Sequence, residues 1–128
     1  RLYIDKKAYY VNDIEKEMDV APIIYEERTL LPIRYVAEAL GAEVSWNDSE
    51  KKVIITFKDI TIELWIGKNS AKVNGAYKFI DPENPKVTPI IIPPGRTMLP
   101  IRFIAENMGC KVDWDANLRE VKVTYPAE

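Results

Sequence analysis

The stretch Arg28-Thr29-Leu30-Leu31-Pro32-Ile33-Arg34-Tyr35-Val36-Ala37-Glu38 is answered further on by Arg96-Thr97-Met98-Leu99-Pro100-Ile101-Arg102-Phe103-Ile104-Ala105-Glu106. Residue 28 corresponds to residue 96, an offset of 68. The correspondence continues without a gap through Gly41 and Gly109, Val44 and Val112, Trp46 and Trp114, Val53 and Val121, to Phe57 and Tyr125. A match this long at one fixed offset marks an internal repeat, so the chain is read as two copies of one unit.

Local signals inside each copy agree with one another. Pro32 and Pro100 suit the first position of a helix, where a missing N–H costs nothing, and Gly41 and Gly109 suit the residue just past its end. Between them Ile33, Val36, Ala37 and Leu40, and again Ile101, Ile104, Ala105 and Met108, form one apolar stripe at helical spacing. A helix this short is marginal alone in water and must be held by its buried face. Residues 43–46 and 111–114, then turn-rich Asn47-Asp48-Ser49 and Asp115-Ala116-Asn117, then residues 53–57 and 121–125 read as a β-hairpin after each helix. In the first copy Lys58-Asp59 turns the chain into a further strand over residues 60–66, whereas the second copy stops at Tyr125.

Upstream, Ile4-Asp5-Lys6-Lys7-Ala8-Tyr9 echoes Val73-Asn74-Gly75-Ala76-Tyr77 with one residue inserted, an opening hairpin for each copy. Residues 12–21, charged and without a period, and the proline-punctuated residues 81–94 fall outside the pattern. Such connections are where a binding surface is most easily built. The expected fold is α+β, a curved antiparallel β-sheet packed on one short α-helix, repeated twice with pseudo-symmetry. The first repeat spans residues 1–67 and the second residues 68–128. A unit of this size buries little by itself, so the two either share a core as one compact domain or pack closely as two.

Composition narrows the function. With 20 acidic and 18 basic residues the net charge is -2, which gives no electrostatic reason to expect nucleic acid or an anionic membrane. There is no histidine, hence no imidazole base, metal ligand or triad centre. The single cysteine, Cys110, forms no internal disulfide and no multi-thiolate zinc site, and reads as a small buried residue. No catalytic residue, metal or cofactor is expected. No apolar run nears the roughly 20 residues that cross a bilayer, so membrane insertion is not expected. The start, Arg1-Leu2-Tyr3, has neither an initiator methionine nor a signal-peptide pattern and reads as a processed protein or a piece of a longer one.

Several side chains are candidates for contact. Arg28 and Arg96 precede the helices, while Arg34 with Glu38 and Arg102 with Glu106 stand at i and i+4 on them. They would grip a carboxylate or sulfate, or, on the plainer reading, tie the structure together. Trp46 and Trp114 sit two residues from a valine on the same strand face, which favours the core. Trp65 occurs once, beside Leu64 and Ile66; it is either buried between the copies or, with Tyr77, Tyr25 and Tyr35, part of an exposed aromatic surface for polysaccharide. Asp48, Asp81, Asp113 and Asp115 match no calcium-loop spacing and read as turn formers.

The run Gly95 to Glu106, followed by Gly109 and Val112-Asp113-Trp114-Asp115, resembles the copper amine oxidase N-terminal domain-like family, also called the stalk domain. The first copy resembles it through Arg28 to Glu38, Gly41 to Asn47 and Val53-Ile54-Ile55. The repeat signature is thus Arg28, Pro32, Arg34, Glu38, Gly41 and Trp46, with Arg96, Pro100, Arg102, Glu106, Gly109 and Trp114. The resemblance implies a small α+β fold in secreted and envelope-attached bacterial proteins, often in tandem, with the metal and quinone of the oxidases in a different domain. It therefore implies a non-catalytic structural or interaction module, extracellular or in the cell envelope. Such a module spaces or presents the neighbouring domains of a larger chain and contacts protein partners. The alternative is a carbohydrate-binding module for cell-wall or plant polysaccharide.

Overall fold

Alternation of apolar and polar residues between tight turns makes strand the main regular element of this chain. The computed structural model describes residues 1–93 and 95–127, and its elements run as follows. Five strands, β1 (Leu2–Tyr3), β2 (Ala8–Val11), β3 (Ile14–Glu17), β4 (Ile23–Tyr25) and β5 (Arg28–Leu31), lead to helix α1 (Arg34–Ala39). Then come β6 (Glu43–Asn47), β7 (Lys52–Phe57), β8 (Ile60–Trp65), β9 (Ser70–Val73), β10 (Ala76–Phe79), β11 (Ile90–Ile92) and β12 (Arg96–Pro100). Helix α2 (Ile101–Asn107) precedes β13 (Lys111–Asp115) and β14 (Glu120–Thr124). The result is an α+β fold, mostly antiparallel sheet with two short helices.

Three sheets arise. One is the continuous meander β6-β7-β8-β9-β10. Another, β13-β14-β1-β2-β3, is assembled from opposite ends of the chain, with Leu2 of β1 facing Val121 of β14. The third, β11-β12-β5-β4, places Leu99 opposite Leu31 and Pro100 opposite Leu30. Residues 60–65 thus lie beside β7, and β1, from the start of the chain, lies beside β14. The link at residues 67–68 joins β8 to β9, which pair directly, Leu64 facing Ala71.

The opening hairpin expected around Ile4 to Tyr9 forms as β1–β2, with Leu2 facing Tyr9, and a second hairpin follows it. This second hairpin is β2–β3, whose turn residues Asn12 and Asp13 have φ of 48° and 68°; the β9–β10 turn has Asn74 at 50° and Gly75 at 82°. Two successive left-handed residues make the primed turn that matches strand twist. Val11-Asn12-Asp13-Ile14 and Val73-Asn74-Gly75-Ala76 thus make turns of the same kind. Part of the charged stretch over residues 12–21 is strand β3, exposed along its length at a sheet edge. Charge at such an edge discourages pairing with other chains.

The helices end as their glycines require. Gly41 (φ +88°) and Gly109 (φ +87°) follow the C-caps Leu40 and Met108. Ala42 N–H reaches Ala37 O at 2.8 Å and Gly41 N–H reaches Glu38 O at 3.0 Å; Cys110 to Ala105 and Gly109 to Glu106 repeat the pattern at 2.9 and 3.1 Å. These paired bonds satisfy carbonyls that the helix leaves open. The prolines sit slightly earlier than expected: Pro100 is the N-cap of α2 with extended backbone, and Pro32 precedes the N-cap Ile33 of α1. Each closes a strand as much as it opens a helix.

Ile33, Val36 and Ala37 are buried, as are all four stripe residues of α2. They join a single cluster that includes Leu31, Ile55, Ile62, Leu99, Ile104 and Val121. Each large side chain so buried stabilises the fold by about 1.5–3 kcal/mol. Phe57 and Tyr125 meet edge to face, 5.2 Å apart. Among the described residues no helix is long and apolar enough to cross a membrane.

Candidate functional site

Two long-range ion pairs hold the loops against the third sheet. Arg28, at the head of β5, donates from Nε to Asp81 at 2.5 Å and from Nη1 to Glu27 O at 3.2 Å. Arg96, at the head of β12, donates from Nε to Asp19. The partners are 53 and 77 positions apart, so neither pair is local. The hydrogen bond from Arg96 holds the Asp19 carboxyl below the usual carboxylate range. Asp81 is the more enclosed carboxylate, its side chain 17% exposed against 40% for Asp19.

Each pair stands in an open cleft. The first, of about 550 Å³, is lined by Ile33, Arg34, Val44, Trp46, Ile91 and the Arg96–Asp19 pair, among others. The second, of about 630 Å³, is lined by Ile101, Arg102, Val112, Trp114, Ile24 and the Arg28–Asp81 pair. Residues 33, 34, 44, 46 and 96 of one cleft thus recur as 101, 102, 112, 114 and 28 in the other.

The tryptophans correct the sequence reading. Trp46 is 41% exposed and Trp114 43%, not core residues. They do share a strand face with Val44 and Val112, as alternation requires. However, β6 and β13 are the outermost strands of their sheets, so no neighbouring strand covers the far side of either ring. Trp46 Nε1–H also reaches Asp48 Oδ1 at 3.3 Å, which holds its polar edge outward. The opposite walls are edge strands too, for Ile91 lies on β11 and Ile24 on β4, and both are about half exposed.

The clefts differ in charge. Arg102 is paired to Glu106 at 3.3 Å, whereas Arg34 has no hydrogen-bond or ion-pair partner among the described residues. The second cleft also carries Glu27 and Glu83 on its wall. Tyr35 of the first cleft accepts a hydrogen bond from Asp19 N–H at 3.1 Å; Phe103, in the matching place, offers no such acceptor.

Other candidate contacts lie elsewhere. Trp65 and Tyr77 come together on the outer face of the meander sheet, rings stacked at 6.4 Å and 28°. Lys52 Nζ lies 5.7 Å from the Trp65 ring centroid and Lys72 Nζ 4.9 Å from that of Tyr77. Tyr77 is 68% exposed and Phe79 63%. Phe79, two residues on from Tyr77 in β10, also lines the second cleft. Tyr35 belongs to the first cleft, and Tyr25, half-buried opposite Arg28, belongs to neither that cleft nor the aromatic patch.

A family model described as the copper amine oxidase N-terminal domain matches residues 10–123, a span that holds both clefts' tryptophans and arginines. The chain belongs to this family. Within it the N-terminal domain is non-catalytic. Neither a curated protein nor a solved structure matches the chain.

The donors of this amine oxidase N-terminal domain do not fit copper. Copper sites draw on imidazole and thiolate, and here histidine is missing while Cys110 is buried, which pushes its thiol up in pKa. Among the described residues no three His, Cys, Asp or Glu side chains gather into a metal-binding group. The acidic turn residues are engaged otherwise: Asp48 with Lys51, Asp81 with Arg28, and Asp115 with the amides of Asn117 and Leu118.

Proposed function

We propose that the chain is a non-catalytic interaction and spacing module of a secreted or cell-surface bacterial protein, made of two tandem stalk-type copies related by an approximate twofold axis. Support for the duplication comes from corresponding residues that meet. Leu31 faces Leu99, and Phe57 touches Tyr125, as an axis passing between each pair requires. The repeats at 1–67 and 68–128 then pack as one body, each lending an arginine to the other's loop.

The observation that carries the function is the pair of related clefts, each walled by a half-exposed tryptophan and braced by a neutralised Arg–Asp pair. An apolar wall with a charged rim suits contact with a protein surface, and the arginine-paired aspartates are not a poised acid, base or nucleophile. Neighbouring domains of a larger chain, or a separate protein, are the partners. A second reading, carbohydrate binding, is favoured by Trp65, Tyr77 and Phe79 on one outer sheet face, since flat rings stack on the apolar faces of sugars.

Retention of the purified chain on insoluble polysaccharides and on cell-wall preparations, with and without protease treatment, distinguishes the two. The protein-contact reading expects retention that protease abolishes and that Trp46→Ala/Trp114→Ala removes. Retention on purified glycan, lost in Trp65→Ala/Tyr77→Ala, would replace it with the carbohydrate reading.

A further inference from the structure

We infer that the cleft beside Trp46 binds an extended acidic peptide segment, which adds as a strand to the free edge of β6. The inference deepens the protein-contact reading and rests on it.

Backbone geometry comes first. Val44, Ser45 and Trp46 alternate between the two faces of β6, yet all three line the cleft, so the strand presents its edge there. Among the described residues that edge is unpaired, because β6 bonds only to β7, and Ile91 across the cleft lies on β11, which bonds only to β12. An unpaired edge is a template for another extended chain, whose N–H and C=O groups it satisfies. Edges that avoid this use charge: β3 carries Glu15, Lys16 and Glu17, all exposed. Residues 44–46 and the whole of β11 carry none.

Side-chain chemistry then selects the partner. An added strand presents alternate residues to each side. Trp46 and Ile91 supply apolar walls for one set. For the other set the cleft offers Arg34 unpaired beside the Arg96–Asp19 pair, two cations against one anion. The second cleft sets Arg28 and Arg102 against Glu27, Asp81, Glu83 and Glu106, and so is net negative. Carboxylates therefore belong in the first cleft and are repelled by the second.

The test titrates isotopically labelled chain with a synthetic peptide of alternating glutamate and valine, with its lysine–valine counterpart, and with oligogalacturonate, which carries carboxylates without a peptide backbone. Saturable binding of the glutamate peptide alone is expected, with slowed amide exchange within residues 44–46. Arg34→Glu weakens it roughly tenfold or more, Arg34→Gln less, and Arg102→Glu leaves it unchanged. Failure to saturate by about 1 mM, equal binding of the lysine peptide or oligogalacturonate, or unaltered exchange at residues 44–46 would overturn the inference. Protease-sensitive retention on wall preparations that survives Arg34→Glu would remove this inference alone and leave the broader interaction reading in place.

Discussion

The cleft at Trp46 and the cleft at Trp114 share a frame and differ in what fills it. Both have a tryptophan on an outermost strand, a helix start and an Arg–Asp pair. In the first the aspartate is more open and Arg34 is unpaired; in the second Asp81 is more enclosed and Arg102 is tied to Glu106. The comparison teaches that the buried positions fix the frame while rim charges set the chemistry. Leu31 and Leu99, at the centre, are alike and almost fully buried, whereas Arg34, Arg102 and Glu106, which distinguish the clefts, are exposed.

The sharpest way to break the comparison is at that centre. Leu31→Ala and Leu99→Ala should each destabilise the whole chain by about 2–5 kcal/mol in urea unfolding, with one transition. Two separated transitions would show that the clefts do not share a core. At the helix ends, Gly41→Ala and Gly109→Ala should each cost about 1–2 kcal/mol in thermal unfolding, because an added Cβ disfavours the left-handed backbone. Their costs should be close, since the Cβ at residue 109 meets only Tyr125 at an ordinary 3.7 Å and that at residue 41 meets nothing.

The ion pairs should separate the clefts more finely. Asp81→Asn should cost roughly 1–2 kcal/mol and Asp19→Asn less than about 1, following the greater enclosure of Asp81. Equal losses would mean that solvent exposure does not grade the two braces. The smallest effect concerns pH. Arg96 depresses the folded-state pKa of Asp19, so its stabilising contribution is complete above the unfolded carboxylate range near 4. It is lost as pH falls through the depressed value. An acid titration followed by circular dichroism should lose that part of its pH dependence in Asp19→Asn, and nothing should change near pH 7.

Local chemistry was legible in the sequence. The glycine after each helix, the four-residue apolar stripe and the hairpin that follows all stand where turn residues and spacing put them. What could not be read was set by distant partners or by lack of cover. Residues 2–3 form a strand between β2 and the distant β14, and no pattern in two residues announces the second partner. Strand β3 has almost no apolar alternation because it lies exposed at an edge. The repeat marked out Arg28 and Arg96, but their aspartates lie in the two irregular stretches, where no correspondence was visible. Alternation placed Trp46 and Trp114 on the right face, yet a face is covered only if something packs over it.

The proposed contact surfaces depend on the openness of those two tryptophans, and acrylamide quenching measures it directly. Two variants, Trp65→Phe/Trp114→Phe and Trp65→Phe/Trp46→Phe, leave one cleft tryptophan each. Both should quench readily, with emission shifted toward the red as half-exposed indoles require. Weak quenching with blue-shifted emission in folded variants would return both residues to the core and remove the clefts from the account.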